Sequence, residues 1–393
     1  MTSSYPSSAI PTRQAGAFYA LYFAVLGVVL PFLGPYLLFR GMGAVWVGLI
    51  TGAFSLAKLA YAPFLGAWVD RGRWFPGLLT AHVTLSMVVA VALSRVHAPW
   101  AMCLAFVFIG LGYGSVLPLV EAVVLQRLPE RGYGALRVWG SLGFVAAATV
   151  AAWILGSDRM DRFPLCLAVA MMALAATCMP LENAARPHCQ PRQGGLPGVV
   201  WGLLALLTLH QVSHGPYYAF FSIHLRQHGM SGGVVGGLWS LGVVAELVAF
   251  ISGRKLEARL GLRRLLGLAL LVTPLRWLLL ALPPSPATLV LAQVGHAASF
   301  ALAHLAGVQL VQRAVPEGAV RHAQALYSGL GFGLGTVAGS ALAGPAYAAW
   351  DGTGAFLAAA VLSGVIFLVW LPLARRFRPS SSRSAAATGA TST

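Results

Sequence analysis

The sequence predicts an all-α membrane protein of twelve transmembrane helices, arranged as two pseudo-symmetric six-helix bundles. Three observations carry that reading. Apolar residues make up 58% of the 393 residues and charged residues 9%, with a mean hydropathy of +0.77; a water-soluble domain cannot bury that much apolar surface. The apolar residues fall into twelve runs, each close to the roughly 20 residues that span a bilayer core. One long polar interruption divides six runs from six, and weak matches relate the two halves.

The first six runs lie at about 16–39, 44–68, 76–94, 99–126, 134–156 and 163–181. Charged positions separate them: Arg40, then Asp70, Arg71 and Arg73, then Arg95, then Arg127 and Arg131, then Arg159 and Arg162. The stretch from Leu181 to Gly195, with Arg186 and Arg192, is the polar divider. Six more runs follow at about 197–225, 232–252, 264–282, 286–312, 322–349 and 352–373. The expected organisation is therefore a cytoplasmic tail (1–15), an N-terminal bundle (16–181), a central cytoplasmic loop (182–196), a C-terminal bundle (197–373) and a polar, low-complexity tail (374–393) expected to be disordered.

Charge placement sets the expected orientation. Of 26 Lys and Arg, 18 fall in segments on the side of the N-terminus, five in the opposite loops, and three (Lys58, Arg137, Arg276) within helices. Basic residues accumulate on the cytoplasmic side, so both termini are expected there, in a cell inner membrane. The net charge of +16 then reflects topology and attraction to anionic lipid, not a nucleic-acid face. The N-terminus lacks a basic n-region and cleavage site, so no removed signal peptide is expected. Cys103, Cys166, Cys178 and Cys189 show neither zinc spacing nor an extracellular framework and read as free thiols.

The halves match as a duplication would. Gly41-Met42 recurs as Gly229-Met230, and Lys58 aligns with Glu246, both at an offset of 188; Asp70 aligns with Glu257 at 187. Paired repeats with a site at their interface characterise secondary transporters. Glycines at 110, 112 and 114, and at 329, 331, 333, 335 and 339, point to close helix packing, with sliding during transport as an addition.

Five charges sit inside apolar runs: Lys58, Glu121, Arg137, Glu246 and Arg276. Each costs roughly 2.5–3.5 kcal/mol at mid-membrane, so such residues face a cavity and act there. Glu121 and Arg137 fall on antiparallel neighbours and are able to meet; the alternative is a structural ion pair joining their helices. Arg137 offers a bidentate fork to an anion or hydroxyl. Glu246, a carboxylate well inside a helix, is the candidate proton carrier, against a permanent pair with Arg276 or Lys58. Three positive charges oppose two negative, and an anionic substrate would supply the missing charge. Lys58 reads equally as an anion anchor or as a side chain reaching a helix end.

His210 and His214 are four residues apart, as are His296 and Phe300, and Phe300 and His304. No acid or Cys completes a metal set beside them, so no metal or other cofactor is expected. They read as polar cavity residues, with His296 also a proton partner or substrate donor. Tyr217, Tyr218, Phe220 and Phe221, with Trp139 and Phe144, offer stacking to an aromatic ring or simple interhelical packing.

Gly66-x-x-x-Asp70-Arg71-Gly72-Arg73 resembles the cytoplasmic loop signature of the major facilitator superfamily, with Gly72 one place early. Further motifs are Phe18-Tyr-Ala-Leu-Tyr-Phe-Ala, Leu136-Arg137-Val-Trp139-Gly-Ser-Leu-Gly143-Phe, Val244-Ala-Glu246, Leu275-Arg276-Trp277, His296-Ala-Ala-Ser-Phe300-Ala-Leu-Ala-His304 and Gln324-Ala-Leu-Tyr327. Over nearly all of residues 16–373 these resemble the phenylpropionic acid permease branch, and more distantly the lactose permeases. The second likeness implies that Glu121 and Arg137 match a sugar-binding acid and arginine. It likewise matches Glu246, Arg276 and His296 to the charged residues of helices 8, 9 and 10. The proton-carrying glutamate of helix 10 falls on Ser299, a nearby lysine on Gln293 and a helix 7 aspartate on His214, so lactose is not the expected substrate.

The combined expectation is a monomeric proton symporter, not an enzyme, importing a small organic acid, aromatic in the manner of 3-phenylpropionate, by alternating access. Substrate would bind through Glu121, Arg137, Trp139, His214, Tyr217, His296 and Phe300. Glu246, Arg276 and His296 would couple protons, and Asp70, Arg71 and Arg73 would form a cytoplasmic gate. Alternatives are a sugar or nucleoside symporter, a drug exporter and, from another class, a membrane sensor.

Overall fold

The computed structural model describes residues 12–69, 71, 77–127, 130–156, 158–184 and 195–377. Among them every regular element is helical. The N-terminal half contains α1 (Thr12–Phe39), α2 (Ala44–Trp68), α3 (Leu78–Ala92), α4 (Pro99–Gly114) continued by α5 (Val116–Arg127), α6 (Glu130–Leu155) and α7 (Phe163–Ala184). In the C-terminal half α8 (Gly198–Val212) and α9 (Gly215–Gln227) form one broken pass, and α10 (Gly232–Ala281) holds two. Next, α11 (Pro286–His296) and α12 (Ala303–Arg313) flank a π-helical segment, Ala297–Leu302. A second π segment, Ser328–Gly335, joins α13 (Val320–Tyr327) to α14 (Thr336–Leu373), which also holds two passes. The described path is consistent with the twelve passes that hydropathy predicts.

Local chemistry explains the reversals. A straight helix of the 50 residues of α10 would reach about 75 Å, more than twice the hydrocarbon thickness. It turns back at Gly261, whose φ of 72° is open to a residue without Cβ. α14 reverses at Asp351, φ 55°, where Oδ1 accepts hydrogen bonds from the amides of Thr353 (2.8 Å) and Gly354 (3.4 Å). Those first-turn amides have no helical partner, so the side chain caps the last pass.

The duplication is visible in the caps. After α1, Gly41 has φ 75° and the Met42 amide donates to the Leu37 carbonyl at 2.9 Å. After α9, Gly229 has φ 80° and the Met230 amide donates to the Leu225 carbonyl at 3.2 Å. One left-handed cap thus ends the first pass of each half.

One core is built mainly on residues from Ala15 to Leu181 and takes in Ala219, Phe220, Ile223, Ala343, Tyr347 and Ala355 of the other half; a second draws on Val200 to Trp370. A third bridges the halves, setting Phe144 and Ala148 of α6 against Tyr217, Phe221, Trp239 and Trp277. The halves meet at one end of the molecule, where backbones approach so closely that side chains would collide. A Cβ on Gly34 would lie 2.8 Å from the Ala219 carbonyl oxygen, one on Gly232 2.9 Å from that of Gly156, and one on Gly48 would overlap that of Ser340. Arg226 Nη1 adds a hydrogen bond to the Gly156 carbonyl at 3.1 Å. In lipid, small residues are what allow such contact. At the other end, among the described residues, α5, α12 and α13 pack mainly within their own halves.

Candidate functional site

The site is built around the break between α8 and α9. Pro216 carries no amide hydrogen and its ring excludes the preceding helical turn, so the chain loosens at Ser213 and His214. The Ser213 hydroxyl donates to the His210 carbonyl at 2.6 Å, and His214 Nδ1 lies 3.0 Å from the same oxygen. His214 is fully buried, with its ring 4.9 Å from that of Trp277 and 6.3 Å from that of Phe300. On α9, Tyr217 is buried beside His296, ring to ring 5.2 Å.

Two charged centres adjoin these rings. Glu246 Oε1 on α10 is 2.7 Å from His296 Nε2, with both side chains largely buried. Arg276, on the second pass of α10, is 1% exposed. Its Nε donates to the Ala292 carbonyl at 2.9 Å and Nη1 to Ser299 Oγ at 3.5 Å. Its guanidinium lies 4.2 Å from the Tyr217 ring centroid and 4.4 Å from that of Trp277, between two electron-rich faces. Gln293 Nε2 donates to Tyr217 Oη (3.2 Å) and the Leu238 carbonyl (2.6 Å).

Several buried polar atoms here have no hydrogen-bond partner within the protein: Arg276 Nη2, Trp277 Nε1, Gln293 Oε1 and one nitrogen each of His210, His214 and His296. Buried polar groups are normally satisfied, so a cluster of open ones marks where water or a ligand belongs. Among the described residues no group of three or more His, Cys, Asp or Glu is placed to hold a metal ion.

A smaller polar centre lies in the other half. Tyr19 on α1 donates through its hydroxyl to Glu121 Oε1 on α5 at 3.2 Å. Beside it Tyr113 stacks on Tyr22 at 4.3 Å and donates to the Tyr22 carbonyl at 2.9 Å, with Phe54 against its other side at 5.6 Å. The interruptions correspond across the duplication: α4 gives way to α5 at Ser115, and the counterpart pass carries the π segment Ala297–Leu302. Paired interruptions of this kind flank binding sites in repeat-built transporters.

The profile of the MFS_1 like family matches residues 13–358. The chain belongs to that family. It is 28% identical over 338 residues to the probable 3-phenylpropionic acid transporter of Escherichia coli (strain K12), covering 82% of this chain and 87% of that protein. It is also 28% identical over 377 residues to the maltose permease of Geobacillus stearothermophilus, covering 92% and 94%. The crystal structure of the nucleoside transporter NupG superposes with a TM-score of 0.78 at 18% identity, covering 92% of this chain and 98% of that one. This MFS_1-like protein is thus a multi-pass membrane transporter of small molecules and not an enzyme.

The MFS_1-like chain brings together His214, Tyr217, Glu246, Arg276, His296 and Phe300 from the sequence-derived set. Glu121 belongs to the second centre, with Tyr19. Trp139 does not join either. It is 53% exposed on the stripe of α6 that includes Leu142, Val150 and Trp153, opposite the face carrying Phe144 and Ala148. Its place in a proposed substrate set lapses, because a residue five positions from Phe144 falls on a different side of the helix. Phe220 stacks on Tyr347 at 4.2 Å, packing α9 against α14 within the C-terminal half. Arg137 lies in α6 and Lys58 in α2, but their side chains are outside the described set, as are Asp70 and Arg73; Arg71 is exposed.

Sequence reasoning gave no role to Tyr19, Tyr22, Tyr113 or Trp277. Their signal was present: hydroxyl and indole N–H groups within otherwise apolar spans each require a partner.

Proposed function

We propose that this transporter is a proton-coupled symporter that imports a small organic acid, with arylalkanoates such as 3-phenylpropionate as the preferred class. The observation that carries the reading is Arg276. Among the described residues this buried guanidinium forms no ion pair, and Nη2 meets no acceptor. A buried charge is costly unless something neutralises it. A substrate carboxylate supplies that charge, and the flanking Tyr217 and Trp277 rings suit an aromatic body attached to it. The relative from Escherichia coli, named a probable 3-phenylpropionic acid transporter, supports the same class.

Glu246, held by His296, is the proton carrier of the reading. With both termini in the cytoplasm of an inner membrane, as the basic residues suggest, the end sealed by the glycine contacts faces outward. The described conformation is then open inward, one of the two states of alternating access.

The test uses purified protein in liposomes with a trapped pH indicator and an imposed inward proton gradient. Accumulation of labelled 3-phenylpropionate with matching luminal acidification, above protein-free liposomes, is the expected result. Accumulation of maltose or a nucleoside instead would overturn the reading. A sugar is the second reading, favoured by the maltose permease relative and by the Tyr19–Glu121 pair, which presents a hydroxyl and a carboxylate of the kind that bind sugar hydroxyls.

A further inference from the structure

Three histidines of the C-terminal half share one arrangement. His210 Nε2 lies 2.8 Å from the Ser299 carbonyl oxygen and His214 Nδ1 lies 3.0 Å from that of His210. A carbonyl oxygen only accepts, so those two nitrogens carry hydrogen in the neutral rings. The opposite atoms, His210 Nδ1 and His214 Nε2, are then bare lone pairs. His296 Nε2 faces Glu246, so against the ionised carboxylate its Nδ1 is bare in the same way. All three bare nitrogens are buried without a protein partner. The His210 and His214 ring centroids are 4.9 Å apart, and those of His214 and His296 are 6.5 Å apart, spacings for direct or water-bridged transfer.

The row ends at a cavity. His210 lines a space between α8 and the two π segments, bordered by Gln211, Ala303, His304, Tyr327 and Phe332. A π turn widens the helix by one residue, and such turns recur at functional sites. Here the carbonyl of Ser299, inside one π segment, is bonded by His210. Ala303, His304 and Tyr327 lie beyond Ser299 towards the free ends of α12 and α13, which among the described residues pack mainly against their own half.

We propose that His214 and His210 are a proton relay from the Glu246–His296 pair to this cavity, giving the proton an exit separate from the substrate path. It rests on the symport reading above. Protonated Glu246 passes its proton to His296 Nε2 while His296 gives one up from Nδ1, leaving an ionised carboxylate and the tautomer described above. His214 Nε2 receives that proton and releases it from the same atom. His210 Nδ1 does likewise, into cavity water. One proton enters, one leaves, and neither relay ring needs to flip, because its other nitrogen stays tied to a carbonyl. Among the described residues, the titratable and charged groups facing the row are Glu246 and Arg276 from α10, Tyr217 and Tyr218 from α9, and His304 and Tyr327 at the cavity.

The test compares two modes in liposomes, with 3-phenylpropionate as probe: counterflow, which exchanges labelled for unlabelled substrate without net proton movement, and net uptake with luminal acidification. His210→Asn removes the relay atom; Ala303→Leu instead fills the cavity and leaves every histidine in place. For either variant, counterflow within about twofold of wild type and proton-coupled uptake slowed about a hundredfold are expected, the lower end of what a positioned acid–base group contributes. Both modes unchanged would overturn the relay. Loss of both together would overturn it too, placing the ring in the substrate path or in packing. A wild type that takes up the probe without acidification overturns the symport reading itself.

Discussion

Glu246 and His296 meet at 2.7 Å, and Arg276 lies in the same buried cluster with an open Nη2. The acid is thus held by a group that itself titrates, while the permanent cation is left to others. Protonating Glu246 removes the charge that His296 faces, and binding an anion at Arg276 neutralises the guanidinium. Each event changes the charge of the site by one unit in opposite directions. Together they leave the cluster close to its starting charge, which is the physical basis for coupling. A ligand shifts a conformational equilibrium only through its differential affinity, and here neither ligand alone yields the balanced site that closure around substrate requires.

Glu246→Gln separates these events. The amide keeps a polar contact with His296 but cannot ionise. Gradient-driven accumulation of 3-phenylpropionate should disappear while exchange across the liposome membrane continues. If accumulation survived at wild-type level, Glu246 would not be the coupling residue. His296→Gln should weaken accumulation less, because the carboxylate remains.

Arg276 allows a sharper separation of binding from stability. Arg276→Met removes a buried charge lacking an ion-pair partner among the described residues, so the desolvation cost it saves offsets the hydrogen bonds to Ala292 and Ser299 that it loses. Thermal unfolding in detergent should therefore be unchanged or shifted upward, while binding of the acid is lost. Arg276→Lys keeps the charge but not the planar group between Tyr217 and Trp277, so it should weaken binding by a smaller factor. A large drop in unfolding temperature for the Met variant would show that the guanidinium serves the fold.

The twelve passes were legible because hydrophobic run length is a direct record of bilayer thickness. The duplicated Gly-Met pair marked the repeat, and the structure adds that Gly41 and Gly229 both form left-handed caps. Glu246, Arg276 and His296 could be read from the cost of polarity inside apolar runs. The departures from the lactose permease pattern were also informative: His214, Gln293 and Ser299 all lie in the cluster. Pairing was not legible. Sequence alone set Glu246 against Arg276 or Lys58, whereas among the described residues it meets His296 at 2.7 Å. Trp139 misled because an aromatic residue near a buried arginine looks like a site residue until its angle on α6 is known. The π segments were invisible, since a single extra residue per turn leaves no compositional trace.

Arg40 joins α1 to the end of α3. Its Nη1 donates to Tyr36 Oη at 2.8 Å and the Leu93 carbonyl at 2.9 Å, and its Nη2 to the Val96 carbonyl at 2.5 Å. Carbonyls at a helix C-terminus lack helical donors and carry the negative end of the dipole. Arg40→Met should cost about 1.5–3 kcal/mol of stability, the range for hydrogen bonds to a charged group. Transport by the surviving folded protein should keep its substrate affinity. An unchanged unfolding temperature would show that water satisfies these carbonyls equally well.

The sealed end depends on absent side chains. At Gly48 a Cβ would overlap the Ser340 carbonyl oxygen, and the neighbouring Gly344 would bring one within 2.9 Å of that of Ala44. Backbone cannot yield as a side chain can, so Gly48→Val should push α2 away from α14 at this end alone. The N-terminal half would stay intact, because Gly48 makes this contact with the other half. The equilibrium should then move towards the conformer open at this end, and Arg226→Ala should move it the same way more weakly by removing one hydrogen bond to Gly156. The reporter is a cysteine at position 219, buried against Gly34 across the same seal, in a background lacking the native cysteines. A membrane-impermeant maleimide should label it several times faster in Gly48→Val than in the parent. Equal labelling rates would show that the seal is held elsewhere, and that the glycines serve packing within a state more than exchange between states.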